Sequence, residues 1–168
     1  MIELDAEAVY RSLAARLREE VVGRDIRLVG VHTGGVWLAQ RLKRDLHVSH
    51  DVGILDISFY RDDFSRSGLN PSVRPSSIAF DVEGSDIVLV DDVLYTGRTV
   101  RAAMNELFDY GRPARIDLAV LIDRGGRELP IAPTVVGRVI EVPPSIGVVL
   151  TCDDDSRFHL TLENRRED

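Results

Sequence analysis

Residues 87–99 bring together the side-chain types that bind a phosphorylated sugar. Four apolar residues at 87–90 precede two consecutive carboxylates, Asp91 and Asp92, and the sequence Thr-Gly-Arg-Thr follows at 96–99. A loop that opens into a helix presents unpaired backbone N–H groups and a positive dipole end, which suit a phosphate monoester. Carboxylates at the end of a central strand suit vicinal hydroxyls or a hydrated divalent cation. The combination predicts a site for a ribose 5-phosphate.

Each of these features also has a plainer interpretation. An aspartate before a helix often only caps it, and Thr96 with Gly97 would then simply start the helix. A helix cap needs only one acid, however, and here two acids are followed four residues later by the residue types that bind phosphate, at 96–99. The combination therefore favours ligand binding over capping.

A second strand-turn-helix unit precedes this one. The apolar segment 26–31 ends in His32-Thr33-Gly34-Gly35, after which apolar residues return at helical spacing. A glycine turn at a strand end lets backbone N–H groups approach an anion closely. Because Gly-Gly is more often a simple tight turn, this segment alone is only a weak indication of an anion site.

The elements that must position these residues follow from the apolar pattern. Apolar residues at steps of three to four predict an amphipathic helix over about 5–21, and short apolar runs then alternate with helices as far as Ile122. This alternation is typical of an α/β fold with a mostly parallel sheet covered on both faces. The runs predicted as strands before Ile122 lie at 26–31, 53–59, 87–90 and 116–122.

The pattern changes after Arg124. Strand-like segments are predicted at 135–142, 147–152 and 158–162, with three consecutive aspartates at 153–155 turning the last hairpin. We expect one domain over residues 1–168, in which the polar segment at about 60–77 is a flexible lid.

Length, charge and cysteine content exclude several classes of protein. The chain has 168 residues and a net charge of -7, from 21 Lys+Arg against 28 Asp+Glu. A chain of this length buries roughly 70% of its unfolded surface and needs no disulfide staple. Cys152 is the single cysteine, and no Cys or His pairs have zinc-ligand spacing. Without a signal-peptide pattern or an apolar run of about 18 residues, we expect a cytoplasmic protein that does not enter a membrane.

Residues 88–99 resemble the phosphoribosyl-pyrophosphate (PRPP) motif of type I phosphoribosyltransferases. A narrower resemblance is to the PyrR family of pyrimidine operon regulators and uracil phosphoribosyltransferases, and it spans about residues 3–150. It rests on Tyr60-Arg61-Asp62-Asp63, residues 88–101, Gly111-Arg112-Pro113, Asp123-Arg124-Gly125 and residues 127–131. The resemblance implies the type I phosphoribosyltransferase fold, with helices flanking the sheet, a flexible lid loop and C-terminal antiparallel strands.

The resemblance also implies a role for each segment. Asp91 and Asp92 are implied to act at the ribose hydroxyls and at Mg²⁺, which is held through PRPP and water, while Arg61 of the lid neutralises pyrophosphate. The implied PRPP contacts are Thr33, Gly34, Gly35, Asp91, Asp92, Val93, Leu94, Tyr95, Thr96, Gly97, Arg98 and Thr99. The implied uracil contacts are Tyr95, Asp123, Arg124 and Val148. Without the resemblance, a solvated charged loop is an equally good interpretation of residues 60–63, and the alternative role for Asp123 is to cap a turn.

The implied reaction is attack of uracil N1 on the anomeric carbon of PRPP, which releases pyrophosphate and forms UMP. Tyr95 favours a pyrimidine, because 6-oxopurine enzymes commonly carry an Asp there that attends the purine ring. No general base stands out. The candidates by residue type alone are His32, His47, His50 and His159.

The second activity implied by the resemblance is UMP-responsive binding of a pyrimidine operon leader mRNA. RNA binding needs clustered cations, and the candidates are Arg11, Arg16, Arg18 and Arg138. The chain departs from the family at His32 and Gly34, where a basic residue and an Arg are common, and it carries Gly126 where a His is common. A homodimer or larger homo-oligomer is also implied. The alternative function is a weakly catalytic nucleotide-sensing regulator that acts through RNA or a protein partner.

Overall fold

The apolar runs form a parallel central sheet. Its strands are β1 (Ile26–Val31), β2 (Gly53–Leu55), β3 (Asp86–Leu94), β4 (Arg115–Asp123) and β5 (Val135–Val139). The computed structural model describes residues 4–57 and 76–165, and within them these five strands are parallel in the order β2-β1-β3-β4-β5. The strand with the acid pair, β3, therefore lies at the centre of the sheet.

Helices cover both faces of the sheet. They are α1 (Ala6–Glu20), α2 (Gly34–Leu46) and α3 (Arg98–Tyr110). Leu13 and Leu17 of α1 and Leu42 of α2 are fully buried in the core on one face, whereas Leu107 of α3 is buried in the core on the other face. The amino terminus of α1 is capped by Asp5, whose carboxylate accepts the N–H of Ala8 at 3.0 Å.

A two-stranded antiparallel hairpin packs beside the first core. It consists of β6 (Ile146–Cys152) and β7 (Phe158–Asn164). Phe158 is 4% exposed, and its ring centroid lies 5.5 Å from that of Tyr10 in α1. The carboxylate of Glu7 accepts the Phe158 N–H at 2.8 Å, so α1 carries both an apolar and a polar anchor for the hairpin.

The mixed order of parallel strands, flanking helices and C-terminal antiparallel strands agrees with the predicted fold class. Among the helices of the described ranges, none has the length and apolar character needed to cross a membrane. The predicted lid falls mostly on residues 58–75, outside the described residues, and so does Arg61. Ser77, at the end of the predicted lid, pairs antiparallel with Ile54, and both backbone hydrogen bonds measure 2.8 Å.

Several strand boundaries differ from the prediction. The strand predicted at 87–90 continues to Leu94, because β4 runs alongside it and supplies partners as far as the pairing of Leu94 with Asp123. Asp91 and Asp92 thus belong to the end of the strand itself. Conversely, the strand predicted at 135–142 ends at Val139. Of the strand predicted at 53–59, only Gly53–Leu55 is a strand in the described residues.

Candidate active site

The two adjacent carboxylates on β3 have different environments. Asp91 is only 2% exposed, and its Oδ1 accepts the backbone N–H of Asp92 at 2.9 Å. Asp92 is half-buried, and its Oδ1 accepts the N–H of Val93 at 2.8 Å. Asp92 therefore presents the more accessible carboxylate at this end of the sheet.

The predicted phosphate loop leads directly from β3 into α3. Gly97 has a φ of +92°, a left-handed conformation that favours glycine, and its carbonyl accepts the N–H of Arg101 at 3.0 Å. The Thr96 hydroxyl accepts the N–H of Arg98 at 3.2 Å, while the N-cap residue of α3 is Gly97, so neither Asp91 nor Asp92 caps this helix. The N–H groups of the first turn, including that of Thr99, have no partner within the helix and leave a site of positive potential.

The glycine turn between β1 and α2 lies against the acid pair. The carbonyl of Thr33 accepts the N–H groups of Val36 and Trp37 at 3.1 and 3.3 Å, so Gly34 and Gly35 form the first turn of α2. A Cβ atom on Gly34 would collide with the carboxylate of Asp92. The absence of a side chain at position 34 therefore lets the amino end of α2 lie beside that carboxylate.

Gly35 also allows the amino end of α2 to lie close to β3. A Cβ atom on Gly35 would collide with the carbonyl oxygen of Val90 in β3. The structure thus brings together the two segments that the sequence predicted as a pyrophosphate loop and a ribose site. It also explains Gly34 where an Arg is common in the family, since any side chain there requires Asp92 to move.

Asp123, the last residue of β4, is held by Arg127. Its two carboxylate oxygens accept hydrogen bonds from Arg127 Nη1 and Nη2 at 2.9 and 2.5 Å, and Oδ1 also accepts the N–H of Gly125 at 3.0 Å. Burial alone would raise the pKa of Asp123, but these hydrogen bonds hold it below the usual value. Asp123 is therefore a carboxylate whose principal partner is an arginine of the same loop.

Arg127 was not among the predicted site residues. Besides Asp123, it donates from Nη1 to the Tyr95 carbonyl at 3.0 Å and from Nε to the Ile131 carbonyl at 2.8 Å. It thereby ties the loop after β4 to the loop after β3. The signal available in the sequence was its place at the start of the 127–131 segment of the family resemblance, since an Arg four residues after an Asp is by itself too common to single out.

Arg124 joins the end of β4 to the start of β6. It is 3% exposed, and its Nη1 and Nη2 donate to the carbonyls of Ile146 and Pro143 at 2.5 and 3.0 Å. Its guanidinium carbon lies 4.1 Å from the centroid of the Tyr95 ring. The structure thus brings Arg124 and Tyr95 together, next to Asp123. Val148 lies further along β6, opposite Leu162, and packs on the core formed with α1 and α2.

The predicted bases and RNA contacts are distributed over the molecule. His32 lies in the glycine turn, with Nδ1 3.0 Å from the Thr33 hydroxyl. The other histidines are remote from this turn: His47 caps the carboxyl end of α2, while His50 and His159 pair with Asp25 and Asp153. Within the described residues, no cluster of three or more His, Cys, Asp or Glu side chains has a metal-holding arrangement.

The arginines proposed for RNA do not share one face. Arg11 and Arg18 are exposed on α1, and Arg18 donates to the Asp45 carbonyl at 3.0 Å, on the α2 side. Arg16 donates instead to the Val136 carbonyl of β5 at 3.2 Å. Side chains alternate along a strand, and Gly137 of β5 faces Val9 of α1, so the next residue, Arg138, projects from the opposite face of the sheet.

Comparison with known proteins agrees with this arrangement. The phosphoribosyl transferase domain family matches residues 3–156. The bifunctional protein PyrR of Nitrosococcus oceani is 48% identical over 164 residues, which cover 95% of this chain and 93% of that protein. The bifunctional protein PyrR of Ralstonia nicotianae is 46% identical over 167 residues, which cover 96% and 95% of the two chains. That of Pseudomonas aeruginosa is 53% identical over 133 residues, which cover 77% and 78%.

Solved structures show the same fold at lower identity. A hypoxanthine phosphoribosyltransferase from Staphylococcus aureus superposes with a TM-score of 0.65 at 19% identity, covering 89% of this chain and 81% of that chain. A hypoxanthine-guanine phosphoribosyltransferase from Bacillus anthracis gives a TM-score of 0.64 at 20% identity, covering 87% and 85%. With the domain match and the PyrR relatives spanning most of its length, this chain belongs to the PyrR family of phosphoribosyltransferase-domain proteins.

Proposed function

We propose that the protein is a uracil phosphoribosyltransferase, which transfers the 5-phosphoribosyl group of PRPP to N1 of uracil and forms UMP and pyrophosphate. The observation that carries this proposal is the approach of the glycine turn to the acid pair: the Asp92 carboxylate lies where a Cβ atom on Gly34 would be. Two helix N-termini and two carboxylates then converge at the carboxyl end of β3, where open α/β sheets bind ligands.

The two helix N-termini suit the two ends of PRPP. We assign the 5-phosphate to the loop of residues 95–99 and the first turn of α3, and the pyrophosphate to Thr33, Gly34 and Gly35 at the start of α2. Both positions offer backbone N–H groups and a positive dipole end. Since charge develops on pyrophosphate as it leaves, donors fixed beside it stabilise the transition state more than the ground state.

The acid pair suits a magnesium ion that arrives with PRPP. Mg²⁺ is bound in proteins through one or two carboxylates, with substrate phosphates and water completing the octahedron. Asp91 and Asp92 offer such oxygens, and Asp92 is the accessible one. When bound, Mg²⁺ would neutralise charge on the departing pyrophosphate. We also assign the ribose hydroxyls to the Asp92 carboxylate, which would orient the sugar.

The base is assigned to the loop after β4. Both terminal nitrogens of Arg124 donate to backbone carbonyls, and Asp123 binds Arg127. We therefore assign these two residues to shaping the pocket, while the Tyr95 ring and the backbone at 125–126 face the base. Val148 would form a more distant wall. Arg61, in the segment outside the described residues, is proposed to cover pyrophosphate when the lid at about 60–77 closes and excludes water. The remaining assignments are one domain over 1–168 and a cytoplasmic location.

The direct test is UMP formation from uracil and PRPP with Mg²⁺, compared with hypoxanthine and orotate as bases. We expect turnover with uracil and a loss of at least about 100-fold in kcat/KM for Asp92→Asn, because the variant removes a charge beside the sugar and the metal. The matched control is Asp109→Asn, an exposed aspartate of α3, which should keep full activity. Binding of PRPP without turnover on any base would contradict the enzymatic function and favour a nucleotide-sensing regulator.

A second activity is proposed because the relatives at 46–53% identity are named bifunctional proteins. We propose that UMP-bound protein, as a homodimer or larger homo-oligomer, binds a pyrimidine operon leader mRNA. Arg11 and Arg18, exposed on one side of α1, are the best-placed contacts, whereas Arg138 projects from the other face of the sheet.

This proposal predicts that Arg11→Gln with Arg18→Gln weakens binding of leader RNA and lowers its salt dependence by about one unit for each phosphate that is no longer neutralised. Uracil turnover should stay unchanged. Gel-shift titrations over a salt series, with and without UMP, measure both quantities, and Arg157→Gln is the control for an exposed arginine elsewhere. Equal RNA affinity in the double variant would remove α1 from the RNA surface.

A further inference from the structure

Two guanidinium groups meet at the Tyr95 ring. The Cζ atom of Arg124 lies 4.1 Å from the ring centroid, and the Cζ atom of Arg165 lies 4.7 Å from it. Both distances fall within the range of a cation–π attraction. Arg165 comes from the far end of the chain, and nothing in the local sequence marks it as part of this site.

The C-terminal hairpin fixes Arg165 in this position. Asn164 of β7 pairs with Ile146 of β6, and the N–H of Arg165 then donates to the Ser145 carbonyl at 2.7 Å. Arg124 binds the carbonyl of the same Ile146 through Nη1 at 2.5 Å. The side chain of Arg124 and the backbone of Arg165 are thus both hydrogen-bonded to residues at the start of β6.

Among the described residues, neither arginine of this pair has an acidic partner. In the part of the chain that the structure describes, no carboxylate forms an ion pair with Arg124 or Arg165. Burial first, and the charge of Arg165 second, lower the pKa of Arg124. The Nε atom of Arg124 is buried without a hydrogen-bond partner. Arg165 is exposed to solvent whereas Arg124 is buried, so the electron-rich face of Tyr95 mainly offsets the cost of burying Arg124.

The backbone after β4 also packs against the Tyr95 ring. Gly126 has a φ of +78°, and a Cβ atom there would overlap the ring of Tyr95. The ring is thus held by a glycine contact and by two cations. Since Arg124 is also committed to two carbonyls of the protein, Arg165 is the partner whose side chain can be replaced without loosening β6.

From these contacts we propose that Arg165 is a positioning residue of the base site: it holds the Tyr95 ring in place and so sets the affinity for the uracil ring, without contacting PRPP. The inference rests on the proposed uracil phosphoribosyltransferase function, and it adds a residue from the C-terminal hairpin to the machinery that selects the base.

The test compares Arg165→Met, which keeps an unbranched apolar stem and loses the charge, with Arg165→Lys, which keeps the charge. We expect Arg165→Met to raise the KM for uracil about fivefold, the equivalent of a cation–π contact of about 1 kcal/mol, while the KM for PRPP changes less than about twofold. Arg165→Lys should recover most of the uracil affinity. Arg157→Met, in the turn of the same hairpin, is the matched control and should behave as the parent protein.

An unchanged KM for uracil in Arg165→Met, or an equal rise in the KM values of both substrates, would overturn the proposal. Turnover of uracil by the parent protein is measured first, so that a failure of the proposed function is separated from a failure of this inference. In either case the dissociation constant of UMP, measured by calorimetry, tests Arg165 independently: a rise of about fivefold in Arg165→Met with recovery in Arg165→Lys supports the role, and equal constants contradict it.

Discussion

At the scale of single residues, Gly34 couples the two halves of the candidate active site. Its missing side chain is the space into which the Asp92 carboxylate fits. Motif comparison alone would rank Gly34 as a departure from the family, which often has an Arg there. The structure indicates instead that Gly34 and the conformation of Asp92 are adapted to each other.

We predict that Gly34→Ala raises the KM for PRPP about tenfold or more, because the added methyl group displaces the Asp92 carboxylate. The KM for uracil should change much less, since the base is assigned to the loop after β4. Steady-state kinetics with both substrates measure the two constants. Gly84→Ala is the control: Gly84 has a φ of +69° and open space around it, so that substitution costs about 1–2 kcal/mol of stability and leaves both KM values unchanged. Parent-like PRPP kinetics in Gly34→Ala would contradict the coupling.

At the scale of elements, the C-terminal hairpin depends on one aromatic anchor. Phe158 of β7 is buried against Tyr10 of α1, and the guanidinium carbon of Arg41 from α2 lies 4.9 Å from its ring centroid. Arg41 in turn donates two hydrogen bonds to Glu7, at 2.8 and 2.7 Å, and Glu7 accepts the Phe158 N–H. Three elements therefore meet at this ring.

We predict that Phe158→Ala lowers the free energy of unfolding by about 3–5 kcal/mol, through the lost burial and the cavity that remains. Because β7 also carries Arg165 toward Tyr95, the KM for uracil should rise in the same variant. Urea unfolding and steady-state kinetics measure the two effects. Phe108→Ala, at a position that is 56% exposed, should change the stability by less than about 0.5 kcal/mol. A stable Phe158→Ala protein with weakened uracil binding would separate the two roles of the hairpin.

At the scale of the whole molecule, the two ends of the sheet have different tasks. The carboxyl ends of the strands carry the candidate active site, whereas the amino ends carry an ion-pair network. In that network Arg24 lies 2.6 Å from both Asp86 and Asp117, and Arg115 lies 2.9 Å from Asp117. Asp117 is 6% exposed, and it also accepts a hydrogen bond from Thr134 at 3.1 Å.

The network predicts a pH-dependent part of the stability. Burial alone would raise the pKa of Asp117, but hydrogen bonds from Arg24, Arg115 and Thr134 hold it below the usual value. A carboxyl group with a lowered pKa stabilises the fold fully above its unfolded pKa of about 3.9, and this contribution is lost as the pH falls through the lowered value. The stabilisation by Asp117 is thus complete at neutral pH and fades below about pH 4.

We predict that Asp117→Asn lowers the free energy of unfolding by about 3 kcal/mol at pH 7, since it leaves buried arginine donors poorly paired. The difference from the parent protein should shrink as the pH falls from 4 toward about 2. Urea unfolding at stepped pH measures this, and the KM values should remain those of the parent. Asp92→Asn should show the opposite result, with lost turnover and retained stability. A loss of uracil turnover in Asp117→Asn would contradict the separation of catalysis at the carboxyl ends of the strands from stabilisation at their amino ends.

Much of this molecule follows from local patterns in the chain. Apolar spacing predicted the helix over about 5–21, the strand at 26–31 and the α/β class, and the structure confirms them. The spacing was sufficient because it reflects whether one face of an element or both faces are buried. The PyrR family and the phosphoribosyltransferase activity were predicted from motifs of contiguous residues, and the relatives confirm that family. The residue-by-residue site assignments stay predictions.

Other features depend on contacts between distant parts of the chain. The extension of β3 that buries Asp91 needed β4 as its partner, the fit of Gly34 to Asp92 needed two loops to meet, and the placement of Arg165 over Tyr95 needed the register of the hairpin. The sequence by itself determined the α/β class and the approximate positions of strands and helices, since these depend on neighbours in the chain. Only the tertiary structure decided which side chains share a site, because strand register and packing across the sheet depend on the shapes of residues far apart in sequence.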